Sequence, residues 1–207
     1  MSKTYCYTDT PLGGLLLAGD FQGLATINFQ DANLLGNKTP MLPESHWRKD
    51  AAFFVNAIVQ LREYFGGQRQ RFSLRLNPLG NEFEREVLAA ISRIPYGETV
   101  SYKDVARYVG KPKSVRAVAS ACHRNPLPIM IPCHRVIGAN GKPTGSQRGV
   151  DLRLKMLDME KSGGSWPVSD KAQDEKERIQ SERATLSENQ LALPQGIAGE
   201  GYTAEAV

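Results

Sequence analysis

Cys133, His134 and Arg135 stand in a row behind Pro132 and the apolar run Ile129-Met130-Ile131. A thiol ionises near about 8.5 and reacts as the thiolate, so a nucleophilic cysteine needs a proton acceptor or a positive field beside it. His134 and Arg135 are the residue types that supply these, and the apolar run can hold the sulfur in a low-dielectric pocket. Adjacent side chains on an extended segment point to opposite sides, so His134 reaches the sulfur only through a turn or a bridging water. A buried packing cysteine beside a hydrogen-bonded histidine is the competing reading of the same residues. Metal binding fits poorly. Cys122-His123 and Cys133-His134 are two Cys-His pairs eleven residues apart, without the C-x₂-C or H-x₃-H spacing of a zinc site. Cys122 and Cys6 read as small packing residues. Three cysteines are an odd number at irregular spacing, which argues against a disulfide framework and for a reducing compartment.

Around this row the charge is lopsided. The whole chain carries 26 Lys and Arg against 22 Asp and Glu, a net +4. From Ser162 onward there are four basic and eight acidic residues, net −4, which leaves +8 on residues 1–161. Between Ser101 and Lys155 eleven Lys or Arg face two acids, Asp104 and Asp151, a local +9. A patch of that density points to a polyanion partner. No apolar run is long enough to span a bilayer. Residues 1–14 lack the basic patch and apolar stretch of a secretory leader. A location in the cytoplasm is expected, associated with the nucleoid if the source is prokaryotic.

The elements that must position the thiol follow from periodicity. Residues 4–8, 15–19 and 24–29 read as three strands of a small antiparallel meander, separated by Pro11, Gly13, Gly14 and Gly23. Residues 30–48 read as a loop. Phe53, Phe54, Ala57, Ile58, Leu61 and Phe65 recur at helical spacing over 50–65, and Gly66-Gly67 ends that helix. Residues 71–76, Arg-Phe-Ser-Leu-Arg-Leu, read as a short strand. After Asn77-Pro78 the pattern turns helical: Phe83, Val87, Leu88, Ile91 and Ile94 form one face. Ser101 and Asp104 resemble a capping box that opens a helix through Val109, stopped by Gly110. Another helix is predicted from after Pro112 to about His123, so the pair is a candidate helix-turn-helix. On its second member Lys113, Arg116, Ser120 and Arg124 share one face, and Val115, Val118 and Ala119 can turn inward. The small residues Ala117, Ala119, Ser120 and Ala121 suit either tight helix packing or close approach to a DNA groove. Residues 138–150 read as a loop, and 151–161 as a last helix burying Leu152, Met156, Leu157 and Met159. Residues 162–207 read as an acidic tail expected to be disordered.

The residues Ile94-Pro95-Tyr96-Gly97, Ser101-Tyr102, Arg116-Ala117-Val118, Asn125-Pro126 and Ile131-Pro132-Cys133-His134-Arg135-Val136, with Glu160 closing the last helix, carry a specific resemblance. Over 83–160 closely, and more loosely over the first 80 residues, the chain resembles the O6-alkylguanine-DNA alkyltransferases, also called methylated-DNA–protein-cysteine methyltransferases. The resemblance implies an α+β architecture. A small N-terminal α/β domain, ribonuclease-H-like with an antiparallel sheet (1–77), would precede a mainly helical, winged helix-turn-helix-like domain for DNA binding and alkyl transfer (78–161), and the tail would follow (162–207).

The same resemblance implies that Cys133 takes an alkyl group from O6 of guanine directly, irreversibly and without a cofactor, with O4 of thymine as the second position to test. His134 would relay the thiol proton through a water, Glu160 would orient His134, and Asn125 would brace the turn carrying the cysteine. Tyr102 would donate toward the departing guanine oxygen. Arg116 would enter the duplex where the target nucleotide has rotated out, and Ala117, Ser120, Arg124 and Arg135 would complete the DNA-facing set. Pro128, Val136, Ser146 and Gln147 would line the base pocket. The expected partner is double-stranded DNA containing O6-alkylguanine, read from the minor groove with weak sequence preference by a monomer. No metal is expected, because only Cys6 and His46 offer zinc-type ligands in the N-terminal unit.

The chain departs from the family at Gly145-Ser146-Gln147-Arg148-Gly149, where the family usually carries Gly-Tyr-x-Gly-Gly. Arg153 replaces a usual lysine, and Leu88 a frequent tryptophan. An aromatic pocket wall is lost and a charge gained, so an altered preference among alkyl groups is expected. Two alternatives remain at this level. One is a non-catalytic alkylated-base-binding protein that recruits other repair factors; relatives of that kind lack the cysteine. The other is a helix-turn-helix regulator with a preferred DNA sequence.

Overall fold

A computed structural model describes residues 3–30, 41–145 and 147–166. The expectations for residues 31–40, for Ser146 and for the tail beyond Trp166 lie outside the described residues, as do the side chains of Gln147 and Arg148.

The N-terminal half is a four-stranded sheet in the order β3-β2-β1-β4, with one helix. β1 (Thr4–Thr10), β2 (Gly13–Asp20) and β3 (Gly23–Phe29) form the expected antiparallel meander, with Cys6 opposite Leu17 and Leu17 opposite Ile27. The two-residue β4 (Arg48–Lys49) adds a parallel edge to β1. β2 is central, so Leu15, Leu16 and Leu17 are all fully buried rather than alternating. A single 3-10 turn at Ala52–Phe54 leads into α1 (Val55–Phe65), which buries Ala57, Ile58, Leu61 and Phe65. Phe53 is exposed, because the turn before the helix rotates it off the apolar face.

Residues 71–76 do not form the predicted strand. Only Leu76 bridges to Leu24, where the Leu24 N–H donates to Arg75 O at 2.9 Å and Asn77 N–H donates to Leu24 O at 2.8 Å. The Gln60 side chain takes both backbone groups of Ser73, donating to its carbonyl at 3.0 Å and accepting its N–H at 2.7 Å. Those groups are thereby withdrawn from any ladder. The apolar Phe72, Leu74 and Leu76 still pack against the core, which explains the strand-like alternation. Gly23 is required where this segment docks, since at φ +138° a Cβ there would lie 2.5 Å from Arg75 O.

The C-terminal half is helical. α2 (Glu82–Ser92) opens with a full capping box between Asn81 and Glu84, and α3 (Tyr102–Tyr108) with the predicted one between Ser101 and Asp104. α4 (Val115–His123) follows after a turn and buries Val118, Ala121 and Cys122. Ala121 therefore belongs to the core rather than to the outward small-residue face, and Ala119 is only half-buried. Two short strands, β5 (Val100–Ser101) and β6 (Val136–Ile137), pair in parallel. α5 (Gln147–Ser162) starts four residues before its predicted first residue, shortening the expected loop. It buries Leu152, Met156, Leu157 and Met159.

One apolar cluster runs through both halves. They also share polar ties. Ile27 N–H donates to Pro126 O at 2.8 Å, and Trp166 N–H donates to Phe65 O at 2.7 Å while its ring meets that of Phe65 edge-on at 6.2 Å. Residues 162–166, assigned to the tail from the sequence, thus pack back on α1 through Trp166.

Candidate active site

Cys133 begins a 3-10 turn, Cys133–Arg135, that runs directly into β6. The β5–β6 pairing sets this turn beside the start of α3, and hence beside Tyr102. Preceding it, residues 125–132 cross from α4 without regular structure, and Ile129 adopts φ 76°. That is an unfavourable conformation for a β-branched residue, held here by a fully packed loop in which Leu127, Ile129 and Ile131 are buried.

Asn125 is the brace of that loop. Its Oδ1 accepts the Leu127 N–H at 3.0 Å, which fixes the amide orientation because a backbone N–H can only donate. Nδ2 therefore donates twice, to Ile131 O at 2.8 Å and to the Cys133 sulfur at 3.0 Å. A second group also addresses that sulfur. The Cys122 thiol on α4 shares the cleft with Cys133, and interaction with that thiol, followed by burial, pushes its pKa upward. Cys122 is thus a protonated neighbour of the nucleophile, more than the packing residue its helical position suggested. Cys6 is remote on β1, where burial and then the charge of Asp50 push its thiol up to about 12.

His134 and Arg135 turn inward from the same 3-10 turn onto Glu160 of α5. Glu160 Oε1 accepts from Tyr64 OH at 2.6 Å, His134 Nε2 at 2.8 Å and Arg135 Nη2 at 2.9 Å. Oε2 accepts from Arg135 Nε at 2.9 Å and from the Gly97 N–H at 3.0 Å. Burial by itself would raise the Glu160 pKa, but the hydrogen bonds and charges of His134 and Arg135 outweigh it and hold the carboxyl well below the usual carboxylate range. His134 is buried and its pKa lies below the ordinary imidazole value, chiefly through burial, with Glu160 opposing. A neutral imidazole facing an ionised carboxylate must place its proton on Nε2, which leaves Nδ1 as a proton acceptor. Tyr64 and Gly97 carried no signal in the sequence for this role beyond the Pro95-Tyr96-Gly97 turn.

Cys133 is 7% exposed and lines a narrow cleft. Cys122, Asn125, Pro128, Ile129, His134 and Arg153 share its lining. Tyr102 is not among the residues that line this cleft; its hydroxyl and Thr144 Oγ1 share a hydrogen bond of 2.8 Å, and Arg153 Nη1 donates to the Thr144 carbonyl. Burial raises the Tyr102 pKa, so its hydroxyl keeps its proton.

Several predicted site residues are placed differently. Arg135 is 5% exposed, with its guanidinium spent on Glu160 and on Ile94 O at 2.6 Å, so it is an internal support and has no DNA-facing surface. Val136 is fully buried in β6 and does not line the cleft. Arg124 is exposed but tied to Glu84 Oε1 at 2.7 Å and Ser120 Oγ at 2.6 Å. Arg116 and Ala117 are exposed on α4, with Ser120 half-buried beside them.

Fold and site together define a two-part α+β protein built around a sunken cysteine that has its own hydrogen-bond donor and a tautomer-fixed histidine. Comparison with known proteins names the family. The model for the 6-O-methylguanine DNA methyltransferase ribonuclease-like domain matches residues 3–78, and that for the DNA binding domain of the same family matches residues 82–162. A methylated-DNA–protein-cysteine methyltransferase of Methanosarcina acetivorans is 44% identical over 158 residues, covering 76% of this chain and 98% of that protein. One from Mycobacterium tuberculosis is 39% identical over 158 residues, covering 76% and 92%. The crystal structure of Mycobacterium tuberculosis OGT in complex with DNA superposes with a TM-score of 0.69 at 37% identity, covering 78% of this chain and 95% of that one. The chain belongs to the 6-O-methylguanine DNA methyltransferase family.

Proposed function

We propose that this protein repairs DNA by moving an alkyl group from O6 of guanine onto its own Cys133, once per molecule. The observation that carries the reading is the Cys133 sulfur, which receives an N–H from Asn125 at 3.0 Å in a cleft shared with His134, whose acceptor nitrogen is set by Glu160. The thiol proton passes to His134 Nδ1 through a bridging water, and the sulfur displaces the guanine O6 from the alkyl carbon. The leaving anion accepts a hydrogen bond from Tyr102 and is then protonated. Donation from Asn125 to sulfur strengthens as negative charge builds there.

A sulfur this buried cannot touch a base that is stacked in a duplex, so the target nucleotide must rotate out, at a cost of a few kcal/mol. Exposed Lys113 in the turn before α4 and exposed Arg116 on α4, followed on that helix by Ala117 and Ser120, support α3 and α4 as a helix-turn-helix laid into the minor groove. Arg116 fills the vacated position in the stack. Arg124 approaches the backbone while still held by Glu84. The cleft and α4 belong to the domain at 78–161, and the sheet domain at 1–77 contributes Tyr64 from beneath. The protein acts as a monomer on double-stranded DNA, with weak sequence preference, in the cytoplasm.

The test is incubation with duplex DNA carrying O6-methylguanine, followed by peptide mass mapping. One added methyl mass on the Cys133 peptide is expected, and tight lesion binding with an unmodified thiol would overturn the proposal.

A further inference from the structure

Two arginines are buried near the thiol, and their environments differ. Arg135 is matched by Glu160 in a two-pronged pair. Arg153 is 4% exposed, lines the cleft together with Cys133, and has no carboxylate partner among the described residues. Its contact there is the carbonyl of Thr144. Beside it stands Gly145, whose missing side chain would have met Nη1 in ordinary contact, a Cβ there lying 3.6 Å away. Burying a cation without a counter-charge is costly, so a site that does so is poised for an anion that arrives later. Besides the thiols of Cys122 and Cys133, the titratable groups that share the cleft with Arg153 are His123 and His134. His123 and His134 are both held below the ordinary imidazole value, by burial first, and Glu160 is already neutralised by Arg135.

We infer that Arg153 makes this protein selective for O6-alkylguanines whose alkyl group ends in a carboxylate, of which O6-carboxymethylguanine is the smallest. The inference rests on alkyl transfer to Cys133. In the step, the Cys133 sulfur forms a bond to the methylene carbon and the bond from that carbon to O6 breaks. The electron pair stays on guanine O6, the thiol proton goes to His134 Nδ1, and guanine regains one proton. The carboxylate stays on sulfur as S-carboxymethylcysteine and pairs with Arg153. A methyl group gains nothing from the guanidinium, so the discrimination shows as a ratio of rates rather than as a rate.

The experiment measures single-turnover transfer from duplexes containing O6-carboxymethylguanine and O6-methylguanine, with wild type, Arg153→Gln and Arg153→Lys. The carboxymethyl-to-methyl rate ratio should fall about tenfold in Arg153→Gln and stay within about threefold of wild type in Arg153→Lys. An unchanged ratio in Arg153→Gln would overturn the inference. A second arm needs neither DNA nor a variant: the full-length wild-type protein is treated with iodoacetate or iodoacetamide, two reagents of nearly equal size that differ in charge, and Cys133 labelling is followed by peptide mass. Relative to the same ratio in urea, folded Cys133 should favour iodoacetate by about tenfold, and an equal or lower ratio overturns the inference. Failure of wild type to accept methyl from DNA would instead sink the alkyl-transfer reading, while the reagent arm still decides the role of Arg153.

Discussion

Replacing Glu160 with Gln isolates what the buried carboxylate does. Glu160 accepts three donors on Oε1 and two on Oε2, and its side chain is fully enclosed. A glutamine offers one carbonyl oxygen. With that oxygen at the Oε1 position, the amide NH₂ faces the Gly97 N–H and Arg135 Nε, so two donors lose their acceptor. With the opposite orientation, three do. At about 1–3 kcal/mol per orphaned buried donor, the loss is roughly 2–6 kcal/mol. Stranding the Arg135 guanidinium without its counter-ion gives a similar range, about 3–5 kcal/mol. In urea, with a slope of about 2 kcal/mol/M, the midpoint of Glu160→Gln should fall by about 2 M. Tyr64→Phe, which removes one of the donors, should cost only about 1 kcal/mol. Equilibrium unfolding by fluorescence and circular dichroism reads both. A midpoint shift for Glu160→Gln under about 0.5 M would refute the claim that this carboxylate clamps the two halves together.

The remaining predictions concern pH, the sulfur, the DNA face and the chain end. The unfolded chain binds protons more readily than the folded one at both His134 and Glu160, so stability should drop as pH falls, first below about 6.5 and more steeply below about 4.3. Urea midpoints across pH check this, and Glu160→Gln should lose the lower part of the slope. Asn125→Ala removes the donor to sulfur, worth about 1.5–3 kcal/mol once the sulfur is charged, so transfer should slow about ten- to hundredfold in a single-turnover assay. Arg116→Ala should weaken binding to undamaged duplex and reduce its salt dependence by about one unit of slope, measured by titration at several ionic strengths. Truncation after Trp166 should leave transfer intact. Truncation after Gly163 should cost about 1–2 kcal/mol by uncovering Phe65, and a thermal melt distinguishes the two.

Local order was legible because it is written in local spacing. The three strands and the Ser101–Asp104 capping box follow from alternation and from a cap three residues ahead of its partner, and both α3 and α4 fall where the pattern put them. Cys133 and His134 stood out by residue type and adjacency, Asn125 only through the family resemblance, and the structure brings all three to one cleft. The failures share a cause. Residues 71–76 alternate like a strand, yet a side chain thirteen positions away, Gln60, takes the backbone groups of Ser73. Arg135 was placed among the DNA contacts through the resemblance, and it is buried because Glu160 lies twenty-five residues further on.

What the sequence determined by itself is therefore the set of elements and the chemistry on offer: a cysteine, an imidazole, an amide and a basic helix. Which groups face one another was decided only by the tertiary structure. Tyr64 and Glu160 are ninety-six residues apart, yet their contact fixes the carboxylate that fixes the histidine tautomer. No periodicity records such a pair, because a hydrogen bond depends on distance in space and imposes no pattern on the residues between its partners. The same holds for Arg153, whose sequence position on α5 marks it as one more basic residue, and whose burial beside the thiol makes it an uncompensated charge.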